Sequence, residues 1–127
     1  MNAATRSLVR KRAGGCCEYC GLDQSVVALA TFHVEHIRAG QHGGSDDPSN
    51  LALSCQHCNL HEGPNLTGID PETNQIVALF NPRQDVRAEH FTLQGNLIVG
   101  LTPTGRATVQ VLAMNSTFQR ETRSGLD

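Results

Sequence analysis

The chain has 127 residues, which is enough for one domain around a single hydrophobic core. Its formal net charge is −2, so it lacks the strongly basic balance of a tight sequence-specific DNA-binding protein. No stretch approaches the roughly 20 apolar residues of a membrane helix, and we expect no membrane partner. The first residues show no secretory signal, so a cytoplasmic location is expected, where cysteines stay reduced.

The chain is predicted to begin with a short helix over residues 2–14. Asn2 or Thr5 can cap its start, and Gly14-Gly15 ends it. Its basic side chains either lie along a phosphate backbone or form the solvated face of a terminal helix, and both interpretations stay open. The candidate nucleic-acid contacts are Arg6, Arg10, Lys11, Arg12 and Arg38.

Two C-x2-C pairs follow, Cys17/Cys20 and Cys55/Cys58, with 34 residues between them. Paired thiolates on two tight turns suit a closed tetrahedral Zn2+ site, which would fasten the base of the intervening segment. The alternatives are buried free thiols or disulfides. Only 4% of the residues are aromatic, so a metal would compensate for a lean core. Cys16 is the fifth cysteine and is expected to be an ordinary packed or exposed thiol.

Ser25 to Ile37 is rich in β-branched and apolar residues and is predicted to contain a strand with a bend near Ala30-Thr31. Glu35 and His36 lie side by side near its end. A carboxylate suits Mg2+ or Mn2+, and a neighbouring imidazole suits a general base, so this is a candidate hydrolytic site.

The Gly- and Asp-rich segment 38–50 is predicted to be a loop, in which Asp46 and Asp47 either cap turns or touch a metal. Leu51 to Leu53 is predicted to be the return strand, and a helix is predicted from Cys58 to about Glu62. The later predicted elements are a strand at 75–80, a hairpin of 89–93 with 97–101, a helix at about 106–114 and a frayed tail from 116 to 127.

The combined pattern resembles the HNH endonuclease family. The matching residues are Cys17, Cys20, Glu35, His36, Gly43, Gly44, Asn50, Leu51, Leu53, Cys55, Cys58, Asn59 and Gly63. The resemblance implies a ββα-metal fold, in which two strands and a helix surround one catalytic divalent ion, and it implies DNA as the substrate, with RNA not excluded. The four cysteines match the subset of the family that carries a structural zinc.

The resemblance also implies roles for individual residues. His36 would be the general base that activates water, and Asn50 would hold the loop and orient that base. Glu35, where the family often has Asp, and Asn59 would ligate the catalytic Mg2+ or Mn2+. Glu62 departs from the family, since many relatives carry a Lys there that favours phosphate. His33 and His61 are extra imidazoles for which a surface or packing role is favoured over metal or phosphate contact.

We therefore expect an α+β fold: a ββα-metal (HNH) core clipped by a four-cysteine zinc site, with an N-terminal helix and a small C-terminal hairpin and helix extension. Residues 1–64 would form the nuclease core, and residues 65–127 an extension packed on the same domain. The expected function is metal-dependent hydrolysis of DNA phosphodiester bonds. The alternative is a non-catalytic zinc module that binds nucleic acid or protein. The oligomeric state stays open.

Overall fold

The computed structural model describes residues 1–27 and 29–125, whose helices and strands confirm the predicted α+β class. The helices are α1 (Ala3–Ala13), α2 (Gln56–Glu62), α3 (Arg87–His90), α4 (Pro103–Val111) and α5 (Thr117–Arg123). The strands form three antiparallel pairs: β1 (His33–His36) with β2 (Leu51–Ser54), β3 (Thr67–Ile69) with β4 (Ile76–Ala78), and β5 (Phe91–Gln94) with β6 (Leu97–Gly100). Within the described ranges, no helix combines the length and the hydrophobicity that crossing a membrane requires.

Helix α1 begins and ends as its sequence predicts. The Asn2 side chain accepts a hydrogen bond from the Thr5 N–H at 2.8 Å, and Gly14 adopts a left-handed conformation at φ 63° that ends the helix. Val9 is its fully buried residue, whereas Leu8 is exposed. Ala13 is partly buried and also packs against the core, and polar side chains of α1 add the hydrogen bonds described below.

The core of the N-terminal half is the hairpin β1–β2 followed directly by α2. The register pairs Glu35 with Ala52 and His36 with Leu51. All four residues of β2 are buried, so this short strand lies between the elements on its two faces. Cys55 caps α2, which begins two residues earlier than predicted. The order strand, strand, helix agrees with the ββα arrangement that the resemblance implies.

The segment before β1 differs from the prediction. The strand is confined to His33–His36, and Gln24–Val27 forms a 3-10 helix instead of strand. The Gln24 side chain accepts a hydrogen bond from the Phe32 N–H at 3.0 Å and donates to the Ala30 carbonyl. The Gln24 side chain therefore pairs with backbone groups of Ala30 and Phe32 that a neighbouring strand would otherwise pair with. The predicted bend at Ala30-Thr31 is retained as a turn, and Ala28 lies outside the described residues.

The C-terminal half is built around α4, which packs against β3, β4 and β6. Thr102 caps α4, and its hydroxyl accepts a hydrogen bond from the Gly105 N–H at 3.0 Å. The buried carboxylate of Asp70 accepts two hydrogen bonds from Arg106 of α4, at 2.9 and 2.8 Å. A paired charge of this kind fixes the angle between α4 and the turn after β3.

The prediction of a frayed tail is wrong for residues 116–123, because Ser116 caps helix α5, which spans Thr117–Arg123. The Ser116 hydroxyl accepts a hydrogen bond from the Gln119 N–H, and Gln119 and Thr122 are both buried. Leu126 and Asp127, also part of that prediction, lie outside the described residues. The two halves share one hydrophobic core cluster and also touch through polar contacts, including one from His57 Nε2 to the Ala113 carbonyl at 2.9 Å. The division at residue 64 stays a prediction.

Candidate metal and catalytic centre

The two predicted cysteine pairs meet at one point and form what we call the cysteine cluster: Cys17, Cys20, Cys55 and Cys58. Their Sγ atoms all lie within 4.8 Å of one another, and each residue is at most 6% exposed. All four are free thiols. The backbone N–H groups of Cys20 and Cys58 point at the sulfur atoms of Cys17 and Cys55, at 3.5 and 3.4 Å. Four converging sulfur atoms indicate a closed tetrahedral zinc site rather than disulfides.

Cys16 does not take part in the cysteine cluster. Its thiol contacts the Asp23 carboxylate at 3.6 Å, and the two residues also form an isolated backbone bridge. Burial, followed by the nearby Asp23 carboxylate, raises the pKa of Cys16 above its usual value. The residue is therefore an ordinary thiol, as its sequence position predicts.

A second, polar centre adjoins the cysteine cluster, and we call it the oxygen cleft. It brings together the adjacent residues Glu35 and His36 of β1 with Asn59 of α2, which lies beyond the hairpin loop in the sequence. Its lining consists of Tyr19, Glu35, His36, Ser54, Asn59, Glu62 and Gly63. The predicted base and both predicted ligands of the catalytic ion thus face one small cleft.

Glu62 enters the oxygen cleft from the last turn of α2, which the sequence did not predict. It is 9% exposed, and the Tyr19 hydroxyl donates a hydrogen bond to its Oε1 atom at 3.4 Å. Burial raises the pKa of Glu62 to about 8; the Tyr19 hydrogen bond opposes this rise, and negative charge at Cys17 and Glu35 adds to it. The Glu62 carboxyl thus belongs to the site rather than to the surface.

His36 is oriented by a carboxylate outside the oxygen cleft. Its Nε2 atom lies 2.6 Å from Oδ1 of Asp46, whose side chain is 57% exposed. This hydrogen bond holds the pKa of Asp46 below its usual range, so the carboxylate is ionised and can only accept. Nε2 therefore donates this hydrogen bond, and in a neutral imidazole Nδ1 is then the acceptor. The sequence analysis predicts a turn or metal role for Asp46, and nothing local in the sequence indicates its pairing with His36.

Asn50 holds the loop between β1 and β2 through three hydrogen bonds. Its side chain accepts from the Arg38 N–H at 2.9 Å and donates to the carbonyls of Arg38 and Ser45 at 3.0 and 2.8 Å. Gly44 packs so closely that an added Cβ would lie 1.7 Å from the Arg38 carbonyl oxygen. Asp47 caps the turn before Asn50 through the Ser49 N–H, as predicted. These contacts fix the position of the loop that carries Asp46.

The residues predicted to contact nucleic acid differ in whether their side chains are already hydrogen-bonded within the protein. Arg10 donates to the Phe32 carbonyl at 3.0 Å, and Arg12 donates to the carbonyls of Pro48 and Leu51 at 3.1 and 2.8 Å. These two side chains tie α1 to the hairpin. Arg6, Lys11 and Arg38 are exposed. DNA contact stays a prediction for all five residues.

The two extra imidazoles do not line the oxygen cleft. His33 is exposed on β1. His61 is exposed on α2, and its ring lies 4.2 Å from the ring of His57. Both positions agree with the surface or packing role that was favoured for these residues.

The donor atoms of the two centres fit different ions. The oxygen cleft offers the carboxylates of Glu35 and Glu62, the amide of Asn59 and the hydroxyl of Ser54, which are hard ligands suited to Mg2+ or Mn2+. The cysteine cluster offers four soft sulfur ligands suited to zinc. Each centre thus suits one of the two kinds of ion that the sequence predicts.

The buried cysteine cluster and the polar cleft lie side by side on a ββα unit. Residues 17–65 match the family model described as HNH endonuclease, which confirms the resemblance found in the sequence. The match spans somewhat over a third of the chain and contains the whole cysteine cluster and the whole oxygen cleft. Comparisons with curated proteins and with solved structures gave no significant match.

Proposed function

We propose that this protein is a metal-dependent endonuclease that hydrolyses phosphodiester bonds of DNA. The observation that carries the proposal is the convergence of Glu35, His36 and Asn59 on one cleft within the segment that matches the HNH model. A zinc module that only binds a partner requires the cysteine cluster but has no need of this cleft.

Each residue has a distinct part in the proposed reaction. Glu35 and Asn59 would hold Mg2+ or Mn2+, which would supply neutralisation of the negative charge that develops during phosphodiester hydrolysis. His36 accepts a proton from the attacking water at Nδ1, while Asp46 holds the ring through Nε2. Asn50 keeps the loop in place.

The cysteine cluster has a structural part. Four thiolates fill a tetrahedral zinc ion and leave no open position for water, so this metal does not hold the nucleophile. Cys17 and Cys20 lie before the hairpin, whereas Cys55 and Cys58 join β2 to α2. Zinc at this point ties the two sides of the oxygen cleft together.

The test is plasmid cleavage with Mg2+, Mn2+ or EDTA by wild type, His36→Ala and His33→Ala, each checked for zinc content. His33→Ala is the matched control, because His33 lies on the same strand but outside the oxygen cleft. We expect metal-dependent nicking by wild type and His33→Ala, and at least a ~100-fold loss in His36→Ala, the usual range for a general base.

Other results would change the proposal. If zinc-loaded wild type cleaves neither supercoiled, linear nor single-stranded DNA, nor RNA, the protein is a binding module. Cleavage of RNA alone would change the substrate and keep the mechanism. Equal cleavage by His36→Ala and wild type would remove His36 from the reaction.

A further inference from the structure

Glu62 lies in surroundings that are unfavourable for an isolated carboxylate. It is 9% exposed at the C-terminal end of α2, where the helix dipole is negative. Side chains of Glu are almost never buried to this degree without a partner of opposite charge. The position therefore requires a specific explanation.

The partners of Glu62 within the described residues do not neutralise it. The Tyr19 hydroxyl donates one long hydrogen bond, to Oε1 only. The ion pairs of the described ranges involve Asp46, Glu18, Asp70 and Glu72, and none of them includes Glu62. The charged groups that act on Glu62 are Cys17 and Glu35, and both are negative when ionised. A cation beside Glu35 and Glu62 removes this repulsion.

The dimensions of the oxygen cleft suit an ion and exclude a larger ligand. The space available to the centre of a water-sized molecule in the cleft is about 10 Å³, which is about the minimum that holds one water molecule. A base or sugar does not fit into this space. A divalent ion fits, with its remaining coordination positions directed toward solvent and phosphate.

We propose that Glu62 is a third protein ligand of the divalent ion that Glu35 and Asn59 hold. This inference rests on the proposed function, since it concerns the same ion. Glu62 would then have a different role from the Lys that many relatives carry at this position, which favours phosphate. The side chain points into the metal cleft, where its negative charge raises the affinity for Mg2+ or Mn2+, instead of facing the DNA backbone.

The experiment measures Mn2+ affinity directly, without substrate, by electron paramagnetic resonance of the zinc-loaded full chain. The variants are Glu62→Gln, Glu62→Asp and Glu121→Gln. Glu121 is exposed on α5 and is absent from the cleft lining, so it controls for the loss of one negative charge. Zinc content and thermal unfolding are measured for every variant.

We expect Glu62→Gln to weaken Mn2+ binding by about 10- to 100-fold, the usual loss when a metal site loses a supporting group. Glu62→Asp keeps the charge on a side chain that is one methylene shorter. The Mn2+ affinity of this variant should lie between those of wild type and Glu62→Gln. Glu121→Gln should bind Mn2+ like wild type.

Wild-type Mn2+ affinity in Glu62→Gln would overturn the inference, and the proposed function would stand if wild type still binds Mn2+ and cleaves DNA. Failure of wild type to bind Mn2+ would overturn both. If Glu62→Gln does not fold, Glu62→Asp decides, because unchanged affinity in that variant shows that the carboxylate does not reach the ion.

Discussion

The cysteine cluster and the oxygen cleft share α2, yet they differ in the properties that control metal chemistry. The cysteine cluster is closed, buried and made of four identical soft ligands. The oxygen cleft is half-exposed at His36 and made of hard ligands that leave coordination positions open. One seven-residue helix thus contributes Cys58 to the cysteine cluster and Asn59 and Glu62 to the oxygen cleft.

The strongest test of this difference is to break the cysteine cluster. We expect Cys58→Ser to lose zinc and cooperative unfolding, because about 10 kcal/mol or more of zinc binding energy stabilises small domains of this kind. The matched control is Cys16→Ser, since Cys16 lies outside the cluster. Zinc content and circular dichroism on heating measure the result. A folded, zinc-free Cys58→Ser protein would show that the metal is dispensable.

A smaller effect is expected from removing the charge of Asp46, which is hydrogen-bonded to His36 of the oxygen cleft. Asp46→Asn removes the charge that holds the His36 tautomer, so we expect about a 10-fold slower initial rate of plasmid nicking, with Mn2+ affinity and zinc unchanged. Asp47→Asn is the control, because Asn caps a turn as well as Asp does. Identical rates for Asp46→Asn and wild type would show that Asp46 has no positioning role.

The smallest effect concerns the C-terminal half, which contains neither centre. Hydrogen bonds from Arg106 hold the pKa of Asp70 well below its usual range. The ionised carboxylate is therefore favoured by folding, and its contribution is complete above the unfolded pKa of about 4 and declines as the pH falls toward the folded value. We expect the difference in free energy of unfolding between wild type and Asp70→Asn to narrow below about pH 4.

Urea unfolding of both proteins at pH 3 and pH 7 measures this narrowing. Zinc content is measured at each pH, and the comparison uses only pH values at which both proteins keep zinc and unfold cooperatively. Glu72→Gln is the control, since Glu72 also contacts Arg106 but is exposed. A constant difference across this pH range would mean that the Asp70 carboxylate is not selectively stabilised by folding.

Local signals in the sequence predicted much of the fold. Asn2 and Gly14 defined α1 because capping depends on neighbouring residues only. The cysteine spacing predicted the convergence of four sulfur atoms for a similar reason, since each C-x2-C pair is a local turn. Helix α5 escaped prediction because its buried residues, Gln119 and Thr122, are polar and give no apolar period.

The parts of the site that the sequence did not predict depend on tertiary contacts. Asp46 reaches His36 because Asn50 and Gly44 fold the loop back, and no short pattern encodes that return. Glu62 ends helix α2, and it is contacted there by Tyr19, which lies 43 residues earlier in the chain. Roles and contacts of this kind require three-dimensional proximity, which spacing alone does not give.

The sharing of α2 sets a limit on insertions. Each helical residue advances the rotation by about 100°, so one residue added directly after Cys58 would turn Asn59 and Glu62 away from β1 while leaving the four sulfur atoms in place. In contrast, a residue added between Gly63 and β3 would displace neither centre, because it follows both in the chain. The spacing between Cys55 and Glu62 is therefore a fixed length, whereas the chain that follows it is free to vary.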